Sequence, residues 1–115
     1  MAKIIQLSDT DGTVFPLVPV IRKYQSSAGS GTLTLPDGVY LVYVVRYGGS
    51  SDGGYNNNIG LYVCLSRNNG SHIKAISSAT GVSSMTIART TSGATLSYTT
   101  TVSNMDIGAV LLYKA

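Results

Sequence analysis

The chain has 115 residues, enough for one domain with a core of its own. Only 11% of them are charged, with five Asp and no Glu, which excludes long solvent-facing helices; the net charge of +3 is too small and too scattered for a nucleic-acid stripe. Ser, Thr, Gly, Val and Tyr dominate instead, the composition of strands joined by Gly-rich turns.

In chain order, an apolar run (Ile4, Ile5, Leu7) reaches a polar turn (Ser8 to Gly12), and a second run, Val14-Phe15, stops at Pro16. These runs predict short strands over 3–7 and 13–18. The segment is too small to hold a core and reads as an extended arm that docks on a partner. Asp9-x-Asp11-Gly12 has the front of a calcium loop, but the rest of that ligand pattern, including its closing Glu, is missing. A hairpin turn in which the Asp side chains cap backbone N–H groups accounts for it better. Ile21 to Tyr24 is assigned to the end of the arm, residues 1–25. Ser26-Ser-Ala-Gly-Ser-Gly31 has linker composition, and residues 32–115 form a β-sandwich knob domain.

Within the knob, strands are predicted near 32–35, 39–47, 59–66, 72–77, 85–89, 95–101 and 109–114. Asp37-Gly38, Asn68-Asn69-Gly70 and Ser92-Gly93 are the turns, made of residues that tolerate positive φ. Short strands with a turn every 8–12 residues point to a sandwich or barrel. Val39-Tyr-Leu-Val-Tyr-Val-Val45 is apolar on both faces, so it is either central or covered by another subunit. Val110-Leu-Leu-Tyr113 repeats the pattern, and two such strands in a small domain predict self-association. The longest irregular stretch, Tyr47 to Asn58, offers Tyr47, Asp52, Tyr55, Asn56, Asn57 and Asn58 as a glycan- or receptor-binding loop, with rings to stack on a sugar and Asn/Asp to bond its hydroxyls. The plainer reading of that stretch is a flexible hairpin loop.

The inventory for chemistry is bare. His72 is the single histidine, no Gly-x-Ser-x-Gly elbow presents a nucleophile, and one His with one Cys does not make a structural zinc site. Cys64, within Leu61-Tyr-Val-Cys-Leu65, reads as a small buried hydrophobe with no partner for an intrachain disulfide. Asn69-Gly70-Ser71 fits a glycosylation sequon but reads as a turn. No secretory signal and no apolar run long enough to span a membrane is visible, so synthesis in a cytoplasm is expected. No catalytic residues, cofactor or metal are predicted, and the chain is not expected to be an enzyme.

The opening segment resembles that of many structural proteins of tailed bacteriophages, especially fibre-type proteins, which begin Ile-x-Leu-x-Asp-x-Asp-Gly-x-x-hydrophobic-Pro. The matching residues are Ile5, Leu7, Asp9, Asp11, Gly12, Phe15 and Pro16, within an opening segment that covers about a seventh of the chain; after Pro16 this chain stays apolar (Leu17, Val18, Val20). The phrase Gly31-Thr-Leu-Thr-Leu-Pro-Asp-Gly-Val-Tyr-Leu-Val42 and the closing Gly108 to Tyr113 look like the jelly-roll tip domains of phage fibres and of the tumour-necrosis-factor-like group, which form trimers. The resemblance implies an all-β, antiparallel jelly-roll-like β-sandwich with an extended N-terminal arm, assembled as a homotrimer. It implies a virion protein: a short head fibre, a capsid decoration or a tail fibre. Ile4, Ile5, Leu7, Asp9, Asp11, Gly12, Val14, Phe15 and Pro16 would anchor it to a capsid or tail protein, and the knob would face a host-surface glycan. Neither nucleic acid nor membrane insertion enters this reading. The alternative is a stand-alone carbohydrate-binding module or lectin.

Overall fold

A computed structural model of the chain describes residues 6–8, 14–16, 21–46, 59–67 and 70–113. Alternating apolar and hydroxyl side chains make these residues pleat rather than coil. Ten strands run in chain order: β1 (Gln6–Ser8), β2 (Val14–Pro16), β3 (Ile21–Gln25), β4 (Gly29–Pro36), β5 (Gly38–Arg46), β6 (Ile59–Arg67), β7 (Gly70–Ser77), β8 (Val82–Arg89), β9 (Gly93–Thr100) and β10 (Met105–Tyr113). No helix occurs among the described residues.

Two antiparallel sheets carry the fold, one of order β3-β10-β5-β6-β7 and one of order β4-β9-β8, and β1-β2 forms a separate two-stranded ribbon. The all-β, sandwich-like architecture matches the sequence-based expectation. The pairing is largely non-local. The stretch 21–36 runs antiparallel to 93–109, first as β3 on β10 (Gln25↔Met105) and then, across the bend at 26–28, as β4 on β9 (Gly29↔Thr100). One two-strand ribbon thus passes from one sheet to the other.

Here the structure departs from the sequence reading. The segment expected to end the arm, Ile21–Gln25, is an edge strand of the larger sheet, and the expected linker 26–31 is a short bend followed by the first three residues of β4. Gly29-Ser30-Gly31 is flexible as a composition but is held extended by its partner strand. Of the turn glycines expected to tolerate positive φ, Gly70 adopts it and Gly38 and Gly93 do not; Gly29, at the start of β4, adopts it as well. Gly93 is needed for closeness, because a Cβ there would run into the Leu35 carbonyl across the strand pair.

The core lies between the sheets. Tyr40, Val42, Val44, Tyr62, Cys64, Met105, Ile107 and Ala109 face inward from the larger sheet and meet Leu33, Leu35, Leu96 and Tyr98 from the smaller. Burying one such side chain contributes roughly 1.5–3 kcal/mol. One end of the sandwich is tied by a polar cluster. Asp37, in the turn after β4, is paired with Arg89 at the end of β8, and Ser66 at the end of β6 donates to Asp37 at 3.0 Å. A second Arg89–Asp37 hydrogen bond measures 3.1 Å, and Ser66 lies 2.9 Å from Ser71 of β7. The Arg89 guanidinium, and then the Ser66 hydroxyl, hold the Asp37 carboxyl below the usual carboxylate range against a smaller opposing push from burial.

Candidate functional site

Each sheet presents one face to the other sheet and one face outward, and the outward faces are the surfaces available for function. Register fixes what each displays, because residues directly opposite in neighbouring strands share a face.

On the larger sheet, successive outward rows are Asp106–Val45–Ile59, Gly108–Tyr43–Leu61, Val110–Leu41–Val63–Lys74, and Val39–Leu65–His72. β5 is the middle strand, and its outward residues are as apolar as its inward ones. Leu41, Val45, Leu61, Val63, Leu65 and Val110 are half-buried by their neighbours within the sheet. Ile59 and Leu112 are exposed, and Ile76, at the β6–β7 irregularity, is 63% exposed. The smaller sheet covers the inner face, and the β1–β2 hairpin approaches at β10. Among the described residues no second sheet spans the outer face.

One polar group is set into this surface. Asp106 is 1% exposed, and the Arg22 Nε lies 2.9 Å from both its carboxylate oxygens, while the Tyr43 hydroxyl donates at 3.4 Å. The Tyr43 ring reaches that position by lying over Gly108, where a Cβ would come within 2.6 Å of the ring Cζ. The charge is therefore neutralised inside the sheet rather than offered to a ligand.

The outer face of the smaller sheet is a grid of hydroxyls: Ser30–Thr99–Ser84, Thr32–Ser97–Thr86 and Thr34–Thr95–Ala88 across β4, β9 and β8. The Ser30 and Thr99 hydroxyls are 2.9 Å apart. Lys23, Ser30, Thr32, Ser84, Ser97 and Thr99 border an open groove of about 340 Å³. Such a surface needs no protein cover, since each hydroxyl keeps a water partner.

The residues singled out from the sequence fall unevenly. Leu7 pairs with Phe15, Ser8 with Val14 and Gln6 with Pro16, so β1 and β2 form an antiparallel pair. Ile4, Ile5, Asp9, Asp11 and Gly12 lie outside the described residues, as do Tyr47, Asp52, Tyr55, Asn56, Asn57 and Asn58. Cys64 is fully buried in the core, and burial pushes its thiol up to about 12, which fits a packing residue. His72 is exposed at the rim of the apolar face. No three of His, Cys, Asp and Glu come together among the described residues. The Arg22–Asp106 and Asp37–Arg89 pairs were not read from the sequence, where their members stand 84 and 52 positions apart. The hydroxyl grid did leave a signal in the alternating Thr32, Thr34 and Thr95, Ser97, Thr99. No protein-family profile matches the chain, and neither curated proteins nor solved structures yield a match.

Proposed function

We propose that this protein is a structural virion component of a tailed bacteriophage, a short head-fibre, capsid-decoration or tail-fibre protein. The N-terminal hairpin docks into a capsid or tail partner, and the β knob is displayed outward as a homotrimer that contacts host-surface glycan. The observation that carries the reading is the N-terminal segment. Of its Ile5, Leu7, Asp9, Asp11, Gly12, Phe15, Pro16 pattern, Leu7, Phe15 and Pro16 lie on the paired strands β1 and β2, which among the described residues join neither sheet of the knob. A jelly-roll-like description of the knob is supported by the nested pairing of 21–36 with 93–109 around the β6–β7 hairpin.

The role is mechanical and has no chemical step. Many knobs on one particle give avidity that a single weak contact lacks. The weakly charged, hydroxyl-rich outer face of the smaller sheet suits the exposed side of such a knob. The protein is made in the host cytoplasm and resides in the virion. Removing residues 1–20 tests the reading: the truncated protein is expected to fold, by circular dichroism and cooperative melting, and to be missing from purified particles. Full incorporation of the truncated protein would refute it.

A further inference from the structure

We propose that the outer face of the larger sheet is covered by another copy of this chain. The inference rests on the reading of the knob as a multi-copy assembly and names the surface through which the copies meet.

Three observations carry it. First, the centre of the face is apolar over three neighbouring strands: Val110 on β10, Leu41 and Val45 on β5, and Leu61, Val63 and Leu65 on β6. Second, its one buried charge, Asp106, is already paired with Arg22, and the exposed cations Arg22 and Lys74 sit at the two edges of the face, on β3 and β7. A charged partner therefore finds no counter-charge at the centre, whereas a flat apolar sheet face finds its like. The outward and inward faces of β5 and β6 have the same character, so the outer face is suited to the same sheet-on-sheet packing, at about 10 Å, that builds the core. The smaller sheet offers hydroxyls and cannot serve as the complementary surface.

Third, the area is adequate. Four strands about 4.8 Å apart, each running roughly six residues at about 3.4 Å, give a face of roughly 400 Å² in plan. Two copies contribute about 800 Å² in plan, and side-chain relief brings the accessible area to the roughly 1,000 Å² that is the lower bound for a biological interface. Around a threefold axis the same faces form the apolar centre, and edge strands add the remainder.

Light scattering and native mass spectrometry of the full chain test the proposal. The protein is expected to be a closed assembly, and Leu61→Asp is expected to raise its dissociation midpoint at least about a hundredfold, since a charge would have to be buried against apolar side chains. Ser97→Asp, on the hydroxyl face, should leave the assembly intact. Val63→Thr, which keeps the branched shape but adds a hydroxyl, serves if Leu61→Asp fails the melting control, and should raise the midpoint at least about tenfold. A monomeric wild-type protein at high concentration would overturn the proposal. So would an assembly untouched by the face variants and abolished by removing residues 1–20, which would show that the hairpin joins the copies. Particle incorporation is read separately: a monomer found on particles sinks the interface alone, and an assembled protein absent from particles sinks the virion reading alone.

Discussion

The two outward sheet faces use the same pleated geometry and offer water opposite things. Across β10, β5 and β6 the outward residues are Val, Leu and Tyr around one neutralised Asp; across β4, β9 and β8 they are Ser and Thr. The inward faces of both sheets are apolar, so the smaller sheet shows the plain in–out alternation of a solvated sheet, and the larger sheet breaks it. Composition alone hides this contrast, because both faces draw on small, uncharged side chains. The difference gives the molecule a direction. The hydroxyl face is stable in water as it stands, and the apolar face gains about 25 cal/mol for each Å² that a neighbour removes from water.

The same contrast appears at two glycines. Tyr98 lies over Gly31 on the inside of the smaller sheet, and Tyr43 lies over Gly108 on the outside of the larger one. In each pair a Cβ would collide with the ring, but only Tyr43 has room to swing toward solvent; Tyr98 is 1% exposed. Gly31→Ala is therefore expected to cost about 2–3 kcal/mol in urea unfolding and Gly108→Ala about 1 kcal/mol, the latter through the loosened Tyr43–Asp106 contact. Equal costs, or the reverse order, would show that the two rings are equally free. Tyr98→Phe sharpens the point. The Tyr98 hydroxyl is a buried side-chain atom with no hydrogen-bond partner among the described residues, so its removal is expected to stabilise the protein by about 1 kcal/mol.

These pairs also mark how far the sequence is legible. β5 and β6 are readable within a residue of their ends, and β9 within two, because their apolar positions alternate or run continuously over the whole strand. β3 is not, because Arg22 and Lys23 interrupt the pattern and the strand owes its form to β10, more than 80 positions away. β4 begins three residues before the expected Thr32, since the ladder to Thr100 holds glycines that have no strand preference of their own. The two-faced apolar pattern of β5 was visible as a question, whether the strand is central or subunit-covered. The structure makes it central, third of five, and leaves its outer face without a second sheet over it among the described residues. The β1–β2 pair is legible because its pairing is local, Leu7 with Phe15 eight positions apart.

Exchanging the character of the two faces should act mainly on association. Leu61→Thr and Ser97→Val each keep a residue suited to a strand and are expected to change monomer stability by less than about 1 kcal/mol in denaturant. Their effects on association should be opposite: Leu61→Thr raises the dissociation midpoint, whereas Ser97→Val adds an apolar spot to a hydroxyl surface and lowers solubility. If both shift association in the same direction, the faces are not distinct in function.

The smallest effect concerns the polar cluster that ties the sheets rather than either face. Arg89 holds the Asp37 carboxyl below its ordinary value near 3.8, so the folded state binds this proton more weakly than the unfolded chain does. The contribution of the pair is therefore fully present above about pH 4 and is lost as pH falls through the lowered folded value. With Asp37 and Arg89 side chains about a quarter exposed, solvent screening keeps that contribution modest. Asp37→Asn preserves the shape of the turn and removes the titration, so unfolding free energy followed from pH 6 to pH 2 is expected to fall less steeply than in the parent. Ser66→Ala should remove part of the same slope, because the Ser66 hydroxyl donates to Asp37 in the folded state. An acid limb left unchanged by Asp37→Asn would show that the end of the sandwich is held by packing alone.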